Sequence, residues 1–215
     1  MDKINEQYFH EHSDKFDGLK DCLDVGSRNV NGTFYPFIRA GGRMSYFGID
    51  LQHCQPGEKI DGRDTVDMVA DITEDGVVEK IGKTFDLIVC ANTLEHVYDP
   101  VKAIKNMVSM LRPNGYLLII TPLIWPLHDW PYDIQRLNPD FYVETAKRNN
   151  LTIVEDSFYL TLRDKPGRYS VKELPTIGGL CTGLKRFCYR VLCKFFPEFS
   201  FTPTYTYINL IYKRD

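Results

Sequence analysis

From residue 20 to residue 121 the chain repeats one rhythm: a short run rich in apolar residues, then a longer polar stretch broken by glycine, proline and charge. The apolar runs stand at 22–25, 45–49, 66–70, 86–90 and 116–120. Runs of this length, rich in Val, Ile and Leu, suit strands covered on both faces, as in a parallel sheet flanked by helices. The clearest helix spans 100–111. Asp99 can cap it, Pro100 fits its first turn, and Val101, Ile104, Val108 and Leu111 share a face. Arg112-Pro113-Asn114-Gly115 reads as the turn that ends this helix and opens the next strand. A second helix is expected from Asn138-Pro139-Asp140 to Asn149-Asn150, and a strand over 151–154. Residues 51–65, polar and carrying Pro56, Gly57 and Gly62, read mostly as loop, and the β-formers at 205–212 predict a terminal strand.

Two segments fall outside this alternation. Residues 1–18 are polar with scattered aromatics (Tyr8, Phe9, Phe16) and read as a helical cap over a site. Residues 160–202 read as an insertion before the last strand. Within it Leu184, Phe187, Val191, Leu192 and Phe195 recur at helical spacing, with Lys185, Arg186, Arg190 and Lys194 between them. Such a basic amphipathic helix can touch a membrane surface through 184–195, or pack one face on its own domain; the packing reading is put first. The chain is read as one domain over 1–215: cap 1–18, core 20–155, insertion 160–202 and final strand 205–212.

Composition narrows the class. At 215 residues, 43% hydrophobic and 26% charged, the chain suits one soluble globular domain, and a net charge of −3 gives no general pull towards nucleic acid. Six cysteines, at 22, 54, 90, 181, 188 and 193, form no Cys-x-x-Cys pair, so reduced thiols and a cytoplasmic location are expected. No signal peptide or membrane span is read.

The chemistry begins at Asp24-Val25-Gly26-Ser27-Arg28-Asn29-Val30-Asn31-Gly32 and Phe47-Gly48-Ile49-Asp50. A strand ending in a glycine-bearing loop, followed by a strand ending in an acid, suits a nucleoside. Glycine lets the backbone approach the ligand, and the carboxylate accepts from both ribose hydroxyls.

With Val69-Ala70-Asp71-Ile72, with the run from Phe85 through Asn92-Thr93-Leu94-Glu95-His96 to Val97, and with Leu111-Arg112-Pro113-Asn114-Gly115, these motifs follow an order that resembles the class I S-adenosylmethionine-dependent methyltransferases. The resemblance covers roughly 20–155. It implies a Rossmann-like α/β fold with a mostly parallel seven-stranded sheet, an antiparallel last strand and helices on both faces. It also implies S-adenosylmethionine as cofactor and S-adenosylhomocysteine as product. By the same likeness Asp24, Gly26, Ser27, Arg28 and Gly32 form the first cofactor loop, Asp50 takes the ribose and Leu51 lies against adenine. Asp71 and Ile72 meet the adenine edge, while Asn92, Thr93 and Leu94 floor the site. Arg28 and Val30 stand where the family commonly has its second and third glycines; Arg28 can pair with the cofactor carboxylate or point to solvent. Asp71 can equally cap a helix start.

The loop from Thr121 to Pro139 is dense in Trp, Tyr, His, Asp and Arg and follows the fifth strand, so it should overhang the reacting centre. It is similar to a loop of bacterial methyltransferases, some associated with glycan or secondary-metabolite pathways. Trp125, Trp130, Tyr132 and Arg136 are the substrate-binding candidates. If the acceptor is a hydroxyl, His128 is the first candidate base with Asp129 as its orienter, and His96 is the second. A metal site is not expected, because the five histidines are dispersed. The expected reaction is methyl transfer to a small-molecule or sugar-containing acceptor, at oxygen. Two rivals stand beside it. A non-catalytic methyltransferase-like binding protein is supported by the altered glycine loop. An NAD-dependent oxidoreductase is disfavoured because its fingerprint wants glycine where Arg28 stands. Oligomeric state is not legible.

Overall fold

The computed structural model describes residues 3–39, 44–128, 131–162, 168–170 and 206–215. Strands β1 (Asp21–Val25), β2 (Ser45–Asp50), β3 (Met68–Val69), β4 (Phe85–Ala91) and β5 (Leu111–Ile124) form the parallel part of the sheet, in the order β3-β2-β1-β4-β5. The terminal strand β9 (Thr206–Arg214) lies antiparallel beside β5. Beyond it β6 (Leu151–Ile153) and β7 (Tyr159–Leu162) share one edge of β9, and β8 (Arg168–Ser170) pairs antiparallel with β7. The sheet is thus Rossmann-like and mostly parallel around the site, with an antiparallel last strand. Among the described residues it counts nine strands, because the edge strand is broken between 153 and 159 and a short hairpin follows.

Alternation within each apolar run explains why both faces are covered. Leu23, Ile88, Cys90, Leu117 and Ile119 point to one side, where they meet helices α3 (Val77–Ile81), α4 (Pro100–Met110) and α5 (Pro139–Arg148). Cys22, Leu87, Val89, Leu118 and Ile120 point to the other, against Tyr8 and Phe9 of α1 (Lys3–Glu11) and Ile38 of α2 (Tyr35–Arg39). The amino-terminal helix therefore sends its aromatics, with Phe16, into this second core layer. None of residues 3–18 lines the cleft described below.

Local chemistry sets the boundaries. Asp99 Oδ1 accepts from the Lys102 amide at 2.9 Å and Asn138 Oδ1 from the Phe141 amide at 3.0 Å, each with proline at the start of the helix. The buried stripe of α4 is rotated from the expected one. Ala103, Ile104, Met107 and Met110 face the sheet, and Val101 is left 59% exposed. The expected turn at 112–115 is a kink inside β5: Leu111 already pairs with Phe85, and Asn114 takes a positive φ of 64° to absorb the register shift. The third strand is shorter than its apolar run, because the Asp67 carboxylate takes the Gly48 amide at 2.8 Å where a ladder bond would continue. The helix read at 184–195 lies outside the described residues, as do Cys181, Cys188 and Cys193; Cys22, Cys54 and Cys90 are free and buried. Among the described residues no helix is long and apolar enough to cross a membrane.

Candidate cofactor and acceptor cleft

Parallel pairing in register brings the carboxyl ends of the central strands to one level: Val25 pairs with Ile49 and with Cys90, Asp50 with Val69, and Ala91 with Ile120. Above these tips opens a cleft of about 980 Å³, where open α/β sheets bind ligands. Of the expected cofactor residues, Asp24, Gly26, Arg28, Gly32, Asp50, Leu51, Asp71, Ile72, Asn92 and Thr93 all line it. Ser27 and Leu94 do not. Ser27 is tucked beneath the loop, its carbonyl bonded by Thr65 Oγ1 at 2.7 Å, and Leu94 is fully buried in the core. Their neighbours in sequence face the cleft, but their own side chains are turned inward.

The first loop turns sharply because Gly26 adopts a φ of +79° and donates to the Ile49 carbonyl at 2.9 Å. Asp50 then ties the loop to β2, accepting from the Arg28 amide at 3.1 Å and from the Leu51 amide at 2.7 Å. The Arg28 side chain does neither of the things expected of it. Its guanidinium forms a two-pronged pair with Glu58, both contacts 2.6 Å, and Asn29 Nδ2 adds a bond to the Glu58 carbonyl at 2.8 Å. Bonding to Arg28 holds the Glu58 carboxyl below its ordinary range. Where the family resemblance places flexible glycines, this chain braces the loop with a side-chain clamp.

Asp24 sits beneath the same loop, buried, accepting from Tyr46 Oη at 2.8 Å and Thr33 Oγ1 at 3.4 Å. Burial pushes its carboxyl up to about 6, partly opposed by those two hydroxyls. An unfolded aspartate releases its proton near about 3.9, so across that window the native state holds a proton the unfolded state has lost. Stability attributable to Asp24 therefore falls as pH rises from about 4 to above about 6, by about 3 kcal/mol in all. Asp24→Asn removes this titration. In urea denaturation the variant is expected to gain on the wild type between about pH 4 and about pH 7; a difference independent of pH would contradict the assignment.

Further along, Asp71 Oδ1 accepts from the Thr73 amide at 2.8 Å and from Thr73 Oγ1 at 2.7 Å, which closes a turn well ahead of α3. Asp71 thus caps a turn and lines the cleft at once. Asn92 carries a φ of 51°, held by its amide bond to the Ile120 carbonyl at 2.8 Å; its side-chain Oδ1 is buried without a hydrogen-bond partner. An unpaired buried amide oxygen in a cleft wall asks for a donor from a ligand.

The opposite wall comes from the loop after β5. Trp125 and His128 line the cleft, and Trp125 packs its ring 5.2 Å from Tyr207 of β9 while also resting on the second core layer. Trp130 and Asp129 lie outside the described residues. The partner of His128 is Asp133, whose Oδ2 takes the His128 amide at 3.0 Å and stands 3.1 Å from its Nδ1. Arg136 does not reach the cleft. It grips both oxygens of Asp133 and holds that carboxyl down to about 2. Tyr132 leaves its ring 68% exposed outside the cleft and gives only its carbonyl, 3.0 Å from His96 Nδ1. The sequence reading missed Asp133, Glu58 and Tyr207. A carboxylate three residues before an arginine was a visible signal only for the first.

A family model described as a methyltransferase domain matches residues 1–155. The chain belongs to this methyltransferase family. Its cofactor is accordingly S-adenosylmethionine, and the unpaired Asn92 oxygen with the carboxylates of Asp50 and Asp71 fits a ligand rich in hydroxyl and amine donors. The methyltransferase is 31% identical over 112 residues, 45% of its length, to the highly reducing polyketide synthase GPY1 of Gibberella fujikuroi, of which that stretch is 4%. It is 48% identical over 40 residues, 19% of its length, to the ubiquinone biosynthesis O-methyltransferase of Parvibaculum lavamentivorans, of which that is 16%. The methyltransferase therefore matches only a small part of these curated relatives. Among solved structures, a SAM-dependent methyltransferase from Archaeoglobus fulgidus superposes with a TM-score of 0.61 at 13% identity, covering 99% of this chain and 94% of that one, which shows a shared fold.

Proposed function

We propose that this methyltransferase moves the methyl group of S-adenosylmethionine to a hydroxyl oxygen of a small-molecule or sugar-containing acceptor. The observation that supports the reading most is the division of one cleft into two chemistries. Strand tips carry Gly26, Asp50, Asp71 and Asn92, while the loop after β5 supplies Trp125 and the His128–Asp133 pair. The first set would hold the nucleoside and the amino-acid part of the cofactor, which brings its own activated methyl group. The second set would hold the acceptor against the paired rings of Trp125 and Tyr207. The short stretch shared with ubiquinone biosynthesis O-methyltransferases favours oxygen as the receiving atom.

Chemically, the chain has three tasks. It aligns the acceptor with the methyl carbon, a placement that contributes roughly 7–11 kcal/mol in well-oriented reactions. It excludes water from the cleft. It also receives the hydroxyl proton, a role we give to His128, which lines the acceptor side of the cleft. The Pro126 carbonyl, 3.3 Å from Nδ1, can only accept, so Nδ1 carries the hydrogen and in the neutral ring Nε2 has the lone pair. Asp133 holds that tautomer.

Calorimetry with S-adenosylhomocysteine and with NAD tests the reading directly. The demethylated cofactor is expected to bind and NAD is not. Asp50→Ala is expected to weaken S-adenosylhomocysteine by roughly 10–100-fold, the loss of a charged hydrogen bond worth about 1.5–3 kcal/mol. Binding of NAD alone would favour the oxidoreductase reading, and no change on losing Asp50 would remove the ribose assignment.

A further inference from the structure

Histidines that are dispersed in sequence meet in space. The rings of His96 and His128 lie edge to face with centroids 5.0 Å apart, and the Glu95 carboxylate, 2% exposed, stands 3.9 Å from His96 Nε2. One ligand-capable atom from each of the three residues lies within 4.8 Å of the other two. We propose that Glu95, His96 and His128 bind a divalent first-row transition cation, zinc(II) or a close analogue, at the acceptor end of the cleft.

Three observations carry this. First, both imidazoles are fixed in the same tautomer by groups that can only accept. His96 Nδ1 faces the Tyr132 carbonyl at 3.0 Å, and His128 Nδ1 faces the Pro126 carbonyl and the Asp133 carboxylate. In the neutral ring each then presents its Nε2 lone pair, and each has the outer partner that metal-binding histidines generally have. Second, the two segments are stitched together by backbone. The Glu95 carbonyl accepts from the Ile134 amide at 2.9 Å and from the Gln135 amide at 3.1 Å, and Gln135 Nε2 reaches the Leu94 carbonyl at 3.3 Å. The donors are thus held close before any cation arrives. Third, two imidazoles and one carboxylate are a donor set for zinc and its neighbours rather than for magnesium or calcium, which prefer oxygen. Donor atoms around a tetrahedral zinc stand roughly 3.4 Å apart, so small side-chain rotations close the set.

Glu95, His96 and His128 all line the cleft, so the open coordination positions face it. A cation there would take the acceptor's hydroxyl oxygen and lower its pKa, the proton leaving to solvent. With the cation bound His128 would ligate it, and the proton-accepting role given to His128 above belongs to the metal-free chain. This role rests on the methyltransferase reading of the cleft; the binding of the cation does not.

The test uses the full chain stripped of metal. Zinc titration by calorimetry is expected to show one equivalent per chain, and cobalt(II) to give the visible absorption of nitrogen and oxygen ligands. His128→Ala and His96→Ala are each expected to weaken zinc at least tenfold, and Asp133→Asn, which alters the outer partner of His128 together with its Arg136 pair, by about 10–100-fold. His128→Asn serves where the alanine variant loses its cooperative thermal melt. S-adenosylhomocysteine affinity is measured on every variant and is expected to stay near that of the wild type. No zinc binding, binding unchanged in the histidine variants, or a cobalt spectrum dominated by thiolate would overturn the proposal. Loss of S-adenosylhomocysteine binding by the wild type, with zinc retained, would instead sink the cofactor reading alone.

Discussion

Gly26→Ala is expected to abolish S-adenosylhomocysteine binding and to lower stability by about 2–5 kcal/mol. Two independent causes add. The residue holds a φ of +79°, which costs a side-chain-bearing residue about 1–3 kcal/mol. A Cβ at this position would also lie 2.1 Å from Thr93 Oγ1 and 2.9 Å from its Cγ2. Thr93 has little freedom to yield, since its one hydroxyl hydrogen is shared between the carbonyls of Val25, 3.2 Å from Oγ1, and Ala91, 3.1 Å away. The clash therefore moves the loop, and with it the Arg28 amide that fixes Asp50. Urea denaturation and calorimetry measure the two losses. Adding Thr93→Ala to Gly26→Ala should recover part of the stability by removing the obstructing atoms, but not the share due to backbone conformation. Equal stabilities for the single variant and the wild type would show that the turn is softer than its geometry implies.

His128→Ala is expected to reduce turnover by roughly 10²–10⁴-fold, the usual span for losing a positioned acid–base group. Turnover is read as release of S-adenosylhomocysteine across a panel of hydroxylated acceptors. Cofactor affinity should hardly move, because the residues assigned to it stand on the strand tips across the cleft. The backbone bond from residue 128 to Asp133 survives the substitution, so the loop keeps its anchor. If affinity for the cofactor collapsed with turnover, His128 would be a shaping residue of the cleft wall.

The sheet was legible because its runs are short, apolar and separated by breakers, which leaves few ways to cover both faces of each strand. Gly26 and Asp50 followed from that order and Asp71 from the family resemblance, and all three line one cleft. What stayed hidden depends on direction rather than on order. Ser27 and Leu94 sit within the right motifs yet point into the interior, since adjacent positions leaving a strand face opposite ways. In the proline-rigid loop after β5, sequence adjacency suggested Asp129 beside His128, but the chain doubles back to offer Asp133. The reach of Arg28 to Glu58 joins the crossovers on either side of β2, which no local pattern encodes. The same holds for the meeting of His96 with His128.

The Arg28–Glu58 clamp has a consequence for binding thermodynamics. It joins the two segments that flank Asp50, so the rim of the cleft is expected to move as one body. Its conformational entropy is surrendered during folding, and ligand affinity carries that much less of an ordering penalty.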